Sequence, residues 1–235
     1  MLSHMAETVE FKSNGSTASG YLVTPASGSG PGVLVIQEWW GLDWGIKQMA
    51  DRLADDGFVA LAPDLYHGEL AGHDEMDKAG RLMQAMPPDR AARDMSGAVD
   101  YLVQHANVTS KGIGVIGFCM GGMLAFIIAA NRPDAVKAVA PFYGFPQGAA
   151  EPDWTKLAAP VRGHMAERDD FFSPAAAQAL EARLRTLGKD VTLTVHPGTG
   201  HAFMAPHNAL GTYDADQAAK IWPQLITFLR DTLKS

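Results

Sequence analysis

The residues best able to do covalent chemistry lie in Gly117-Phe118-Cys119-Met120-Gly121-Gly122. This stretch follows the apolar run 113–116 and opens a helix-like run over 123–130. A strand, a Gly-x-Cys-x-Gly turn and a helix together describe a nucleophile elbow with cysteine in the serine position. Side chains at Gly117 or Gly121 would collide with the neighbouring strand or helix. Cys119 then points off the sheet edge above a helix N-terminus, a setting that favours thiolate over thiol.

A thiol that cleaves esters needs a base and a carboxylate to orient that base. In this kind of fold they follow the nucleophile in the order acid, then histidine, each just beyond a strand. Two segments after Cys119 fit: Ala166-Glu167-Arg168-Asp169-Asp170, and His196-Pro197-Gly198-Thr199-Gly200-His201. His201, at the end of a glycine-containing loop that can reach across the sheet edge, is taken as the base. His196, nearer the strand, is read as structural, and His67, His73, His105 and His164 as exposed or satisfied. Spacing leaves Asp169 and Asp170 both open. A metal site from Asp169, Asp170, His201 and His207 competes, but its spacing matches no familiar ligand pattern.

The elements that must position these groups alternate along the chain. Strands are expected over Glu7–Lys12 and Ala18–Thr24, joined by a turn at Asn14-Gly15, then over Gly32–Gln37 and Phe58–Ala62. Further strands are expected at 113–116, Val136–Phe142, Pro160–Met165 and Val191–Val195. Helices are expected over Ile46–Asp55, briefly within 67–88, from a cap at Asp89 to His105, and over Pro174–Leu187. A last helix is expected over Asp214–Leu233, kinked at Pro223. This predicts an α/β fold, a mostly parallel sheet with helices on both faces and the site at the carboxyl ends of the strands.

Bulk properties narrow the function classes. The 235 residues suit one domain over 6–235, with 1–5 read as a tag remnant or disordered N-terminus. Nineteen basic against 26 acidic residues give a formal charge of -7, which disfavours nucleic-acid and anionic-membrane partners. No apolar run approaches membrane-spanning length. The single cysteine cannot form an internal disulfide, and the chain opens without a basic-then-apolar signal segment, so a cytoplasmic location is expected. A monomer or small homo-oligomer is expected.

The five segments Gln37-Glu38-Trp39-Trp40-Gly41, Ala62-Pro63-Asp64-Leu65-Tyr66, Gly117–Gly122, Glu167-Arg168-Asp169 and Gly200-His201-Ala202-Phe203 together resemble the dienelactone hydrolase family of α/β-hydrolase fold enzymes. The resemblance implies Cys119 as nucleophile, His201 as base and Asp169 as orienting acid. It implies that Glu38 accepts a hydrogen bond from the resting thiol and moves on substrate binding, helping to form the thiolate. The backbone N–H groups of Trp39 and Met120 would form the oxyanion hole. The expected reaction is hydrolysis of a lactone or carboxylic ester through a thioester, with no metal or organic cofactor. The family's carboxylate-gripping arginine, four residues after the histidine, is replaced by Ala205, and Arg81, Arg90 or Arg93 could supply a second. A neutral or larger substrate is therefore expected, held by aromatics drawn from Trp39, Trp40, Tyr66, Tyr143 and Phe203, with Trp39, Tyr143 and Phe203 touching it. The alternatives are a non-catalytic ligand-binding protein on the same scaffold, or a redox-active Cys119 with no resolving partner.

Overall fold

The computed structural model describes residues 4–234. The first three positions of the expected N-terminal extension lie outside the described residues, while Met5 already pairs with Thr24. β1 (Met5–Ser13) and β2 (Ser16–Thr24) form a hairpin across Asn14 and Gly15, both at positive φ as a tight turn requires. They are followed by β3 (Gly30–Ile36), α1 (Trp44–Asp55), β4 (Val59–Pro63), α2 (Met76–Ala85) and α3 (Pro88–Gln104). Next come β5 (Val108–Phe118), α4 (Met120–Asn131), β6 (Val136–Phe142), β7 (Val161–Arg168), α5 (Pro174–Thr186), β8 (Val191–Gly200) and α6 (Ala215–Thr232).

Among the described residues, all strands join one eight-stranded sheet in the order β1-β2-β4-β3-β5-β6-β7-β8. β2 pairs antiparallel with β1 and β4, and every other pairing is parallel. The inner strands are apolar on both faces because helices cover both. Val33 and Val35 pack with Leu53 of α1 and Ile221 and Leu225 of α6, while Leu34 and Ile36 pack with Val99 of α3 and Phe126 of α4. After β3 the chain turns outward to β4, and after α3 it returns to β5 on the other side. The crevice beyond β3 and β5 is thus the switch point where such sheets carry their sites.

Three local expectations change. Pro87 and Pro88 start α3, and Asp89 falls in its first turn, where it accepts from Arg93 at 2.6 Å instead of capping. β5 begins five residues early through a partly exposed end that includes Thr109 and Lys111, whose polarity hides the strand from a hydrophobic reading. The supposed loop from His196 to Gly200 continues β8, with Gly200 opposite Arg168 after an irregular step in register.

Close backbone packing limits several glycines. A Cβ on Gly97 of α3 would overlap the carbonyl oxygen of Lys12 in β1. Gly→Ala inside a helix ordinarily stabilises by up to ~1 kcal/mol. Gly97→Ala is expected to do the reverse, lowering the denaturant midpoint, whereas Gly80→Ala, with open space around its Cβ, should leave it level or higher.

Candidate active site

The turn from β5 into α4 is very tight. A Cβ on Gly117 would overlap Gly121 O, one on Gly121 would overlap Ile36 O of β3, and one on Gly144 would overlap Cys119 O. With the backbone this close, Cys119 takes φ 54° and ψ -116°, a strained conformation for a residue with a side chain. It is the N-cap of α4, so the Met120 N–H at the first helical position has no intrahelical acceptor. The Trp39 N–H, just past β3, reaches the sulfur from the other side, and both N–H groups face the thiol.

The thiol pKa moves up, opposite to the helix-dipole expectation. Burial pushes its pKa well above the ordinary thiol range, and the Glu38 carboxylate pushes the same way. The N–H groups of Met120 and Trp39 oppose this and are outweighed. A partial helix charge is worth little against a full negative charge in a dry site.

Past the end of β7, Asp169 Oδ1 accepts from the N–H groups of Phe171 and Phe172, both at 2.9 Å. His201, just past β8, donates from Nδ1 to Asp169 Oδ2 at 2.8 Å. Because Nδ1 carries the proton, Nε2 is left with a free lone pair toward the site. Asp170 is exposed, and Ser173 caps α5. The imidazole stacks on Phe172 at 5.9 Å and meets Tyr143 edge-on at 5.2 Å. Half-exposed Phe171 lies 4.9 Å from His201 and 6.5 Å from Trp39, closing a rim that the sequence reading missed.

Glu38, 3% exposed, does not bond the thiol. Its Oε2 accepts from His207 Nε2 at 2.8 Å, and its Oε1 is buried without a partner, as is Tyr143 OH. The expected contact layer also changes. Tyr143 and Phe203 have zero exposure and pack on each other at 5.4 Å, so they form the floor below the site and Trp39 the part-exposed wall. Trp40 and Tyr66 are buried too, because the loop after β3 folds inward, and Tyr66 OH ties it down by donating to Trp39 O at 3.1 Å.

The metal set drawn from the sequence is dispersed: Asp169 and His201 pair together, and His207 turns to Glu38. Asp43, His73 and His207 do bring ligand atoms within 4.8 Å of one another. His73 is bonded to Asp43 at 2.6 Å, and both ring nitrogens of His207 are engaged, by Glu38 and by the Ala209 N–H. Of the three arginines considered for substrate, Arg93 is held by Asp89, Arg81 is exposed and Arg90 donates to Leu65 O at 3.4 Å.

His196 is structural. It accepts from Gln217 on Nδ1 at 2.7 Å and donates from Nε2 to His164 Nδ1 at 2.9 Å, both rings being buried.

The model of the Dienelactone hydrolase family matches residues 18–233. The chain belongs to this family. As a member it is a carboxylic ester hydrolase with the α/β-hydrolase fold. It is 37% identical over 235 residues to Protein usf of Aquifex pyrophilus, with 97% of this chain and 100% of that protein covered. It is 36% identical to an inferred carboxymethylenebutenolidase of Aquifex aeolicus, at 98% and 100% coverage. Among solved structures, a dienelactone hydrolase-like promiscuous phosphotriesterase from metagenomic libraries superposes with a TM-score of 0.85. It is 23% identical and covers 99% of this chain and 100% of that one, a likeness of fold. Among the described residues, no helix is long and apolar enough to cross a membrane.

Two measurements check the electrostatics of this hydrolase. Glu38→Gln removes a charge that opposes thiolate formation, so alkylation of Cys119 by iodoacetamide at mildly alkaline pH should quicken several-fold over the parent. Burial lowers the His164 pKa to about 3, and that of His196 moves the same way. The unfolded chain then binds more protons than the folded one below about pH 6.5, so stability is lost as pH falls from there toward 3. Denaturant midpoints across that range should fall less steeply in His164→Phe.

Proposed function

We propose that this protein hydrolyses a neutral lactone or carboxylic ester by a Cys119–His201–Asp169 triad and a thioester intermediate. The reading rests on the strained elbow, which holds Cys119 against two free N–H groups while an oriented His201 stands on a nearby strand end.

The resting thiol occupies the space beside the Trp39 and Met120 N–H groups, where a substrate oxygen would go. On substrate entry it gives its proton to His201 Nε2, and the sulfur forms a bond to the carbonyl carbon. The carbonyl oxygen takes the negative charge and the two N–H groups hold it. Collapse breaks the ester C–O bond, and the leaving oxygen takes the proton from His201. In a lactone this oxygen remains attached as the far end of the opened chain. His201 then removes a proton from water, whose oxygen displaces sulfur from the thioester, and the proton returns to the thiolate. Asp169 keeps Nδ1 protonated and the ring aligned throughout.

A neutral acyl group fits the charges present. Glu38, Asp43 and Asp169 are buried around the site. Among the described residues no lysine or arginine pairs with any of them. An anionic substrate would meet these carboxylates without a compensating cation.

Turnover of p-nitrophenyl acetate should fall about 10³-fold or more in Cys119→Ala and about 10³–10⁴-fold in Asp169→Asn. Neutral lactones should be opened with higher kcat/KM than carboxylate-bearing ones. Equal p-nitrophenyl acetate rates in parent and Cys119→Ala would sink the reading.

A further inference from the structure

Behind the candidate nucleophile lies a second set of buried polar groups that the acyl-transfer steps do not use. His207 stands 169 positions from Glu38 in the chain, yet it donates from Nε2 to Glu38 Oε2 at 2.8 Å, with side-chain exposures of 2% and 4%. Its Nδ1 accepts from the Ala209 N–H at 3.1 Å. Since a backbone N–H can only donate, Nδ1 carries the lone pair and Nε2 the proton. His207 is thus a neutral imidazole with a fixed tautomer, giving Glu38 a hydrogen bond without a counter-charge.

The imidazole is clamped on every side. The His73 ring stacks on it at 4.0 Å between centroids. His73 is bonded from Nε2 to Asp43 Oδ2 at 2.6 Å, and Asp43 Oδ1 caps α1 by accepting from the Ile46 N–H. Trp40 and Trp44 meet both rings edge-on. Gly45 leaves room for His207: a Cβ there would come within 3.3 Å of its Cδ2. An aromatic clamp around one neutral donor, aimed at one buried carboxylate oxygen, is more order than packing alone requires.

We infer that His207 is a positioning residue that fixes the Glu38 carboxylate beside Cys119 and so governs the reactivity of that thiol between turnovers. The Asp43–His73 pair sets its orientation. The inference rests on the reading of Cys119 as nucleophile, and deepens it by naming what governs that group's resting state. The titratable groups facing this set are Asp43 from the loop before α1, Tyr66 and His73 from the segment after β4, and Cys119 from the elbow. Tyr143 faces it from the end of β6, Asp169 from the end of β7 and His201 from the end of β8. No lysine or arginine is among them.

A buried carboxylate stripped of its donor loses the bond that fixes its place and favours its charged form. In His207→Leu, the effect of Glu38 on Cys119 should therefore weaken toward that of Glu38→Gln. The experiment follows iodoacetamide alkylation of Cys119 against pH in the parent, His207→Leu, His207→Gln, Glu38→Gln and the double variant Glu38→Gln/His207→Leu. Expected are a several-fold faster rate in His207→Leu and a profile near the parent's in His207→Gln, which keeps a donor. In the Glu38→Gln background, His207→Leu should add nothing. If His207→Leu does not fold, as judged by circular dichroism, Asp43→Asn takes its place. It loosens His73 and should give the same change in smaller measure, again only with Glu38 present. A His207→Leu profile that superimposes on the parent or falls below it, or an equal increment in the Glu38→Gln background, overturns the inference. Alkylation needs no turnover, so this result stands apart from the ester assay: loss of Cys119-dependent hydrolysis would sink the proposed reaction and leave the coupling to be read.

Discussion

At the carboxyl edge of the sheet, three backbones meet with no room for side chains between them. Gly117 abuts Gly121, Gly121 abuts the last carbonyl of β3, and Gly144 abuts the carbonyl of Cys119. This contact forces the cysteine into its strained geometry and sets the first N–H of α4 and the Trp39 N–H, three residues beyond β3, against the sulfur. The price is a residue at φ 54°, a cost of about 1–3 kcal/mol. The stacked layers on both faces absorb it, since the last seven residues of β5 and the last five of β3 are buried.

Charge organises the next layer outward. The site holds several carboxylates in a dry setting, and each is treated differently. Asp169 is saturated by two backbone N–H groups and one imidazole, a fixed acceptor. Asp43 divides its oxygens between a helix cap and His73. Glu38 alone has one oxygen left over, and the Tyr143 phenol nearby is also buried without a partner. Buried polar atoms without partners are few in folded proteins and tend to mark places where something changes state. Here two of them face the candidate nucleophile.

Much of this was legible in the residues. The glycine spacing around Cys119 marks an elbow because no other residue tolerates such close backbone approach. His201 and the Asp169-Asp170 pair could be marked as candidates because each follows an apolar run of strand length, and sheet folds put function where strands end; the choice of Asp169 came from the family resemblance. The pairing of Glu38 with His207 could not be read, because 169 positions separate them and only the closing of the turn after β8 over α1 brings them together. Nor could the direction in which the thiol pKa moves. The helix N-terminus is visible in sequence, whereas the burial and the facing carboxylate that overrule it exist only in the folded chain. Tyr143 and Phe203 show a related limit. An aromatic near a catalytic position is as easily its foundation as its wall, and only exposure tells them apart.

The elbow carries the chain's single cysteine. Peroxides attack thiolates far faster than thiols, and a sulfenic acid formed here would have no second cysteine to condense with on its way back to the reduced state. Each oxidation event would remove one enzyme molecule for good unless an outside reductant intervened. In the proposed reaction, a thiol that keeps its proton until substrate arrives meets that hazard only during the moments of turnover. The burial and the facing carboxylate that push the Cys119 pKa up would then also lengthen its chemical lifetime, a form of durability that no measure of folding stability would register.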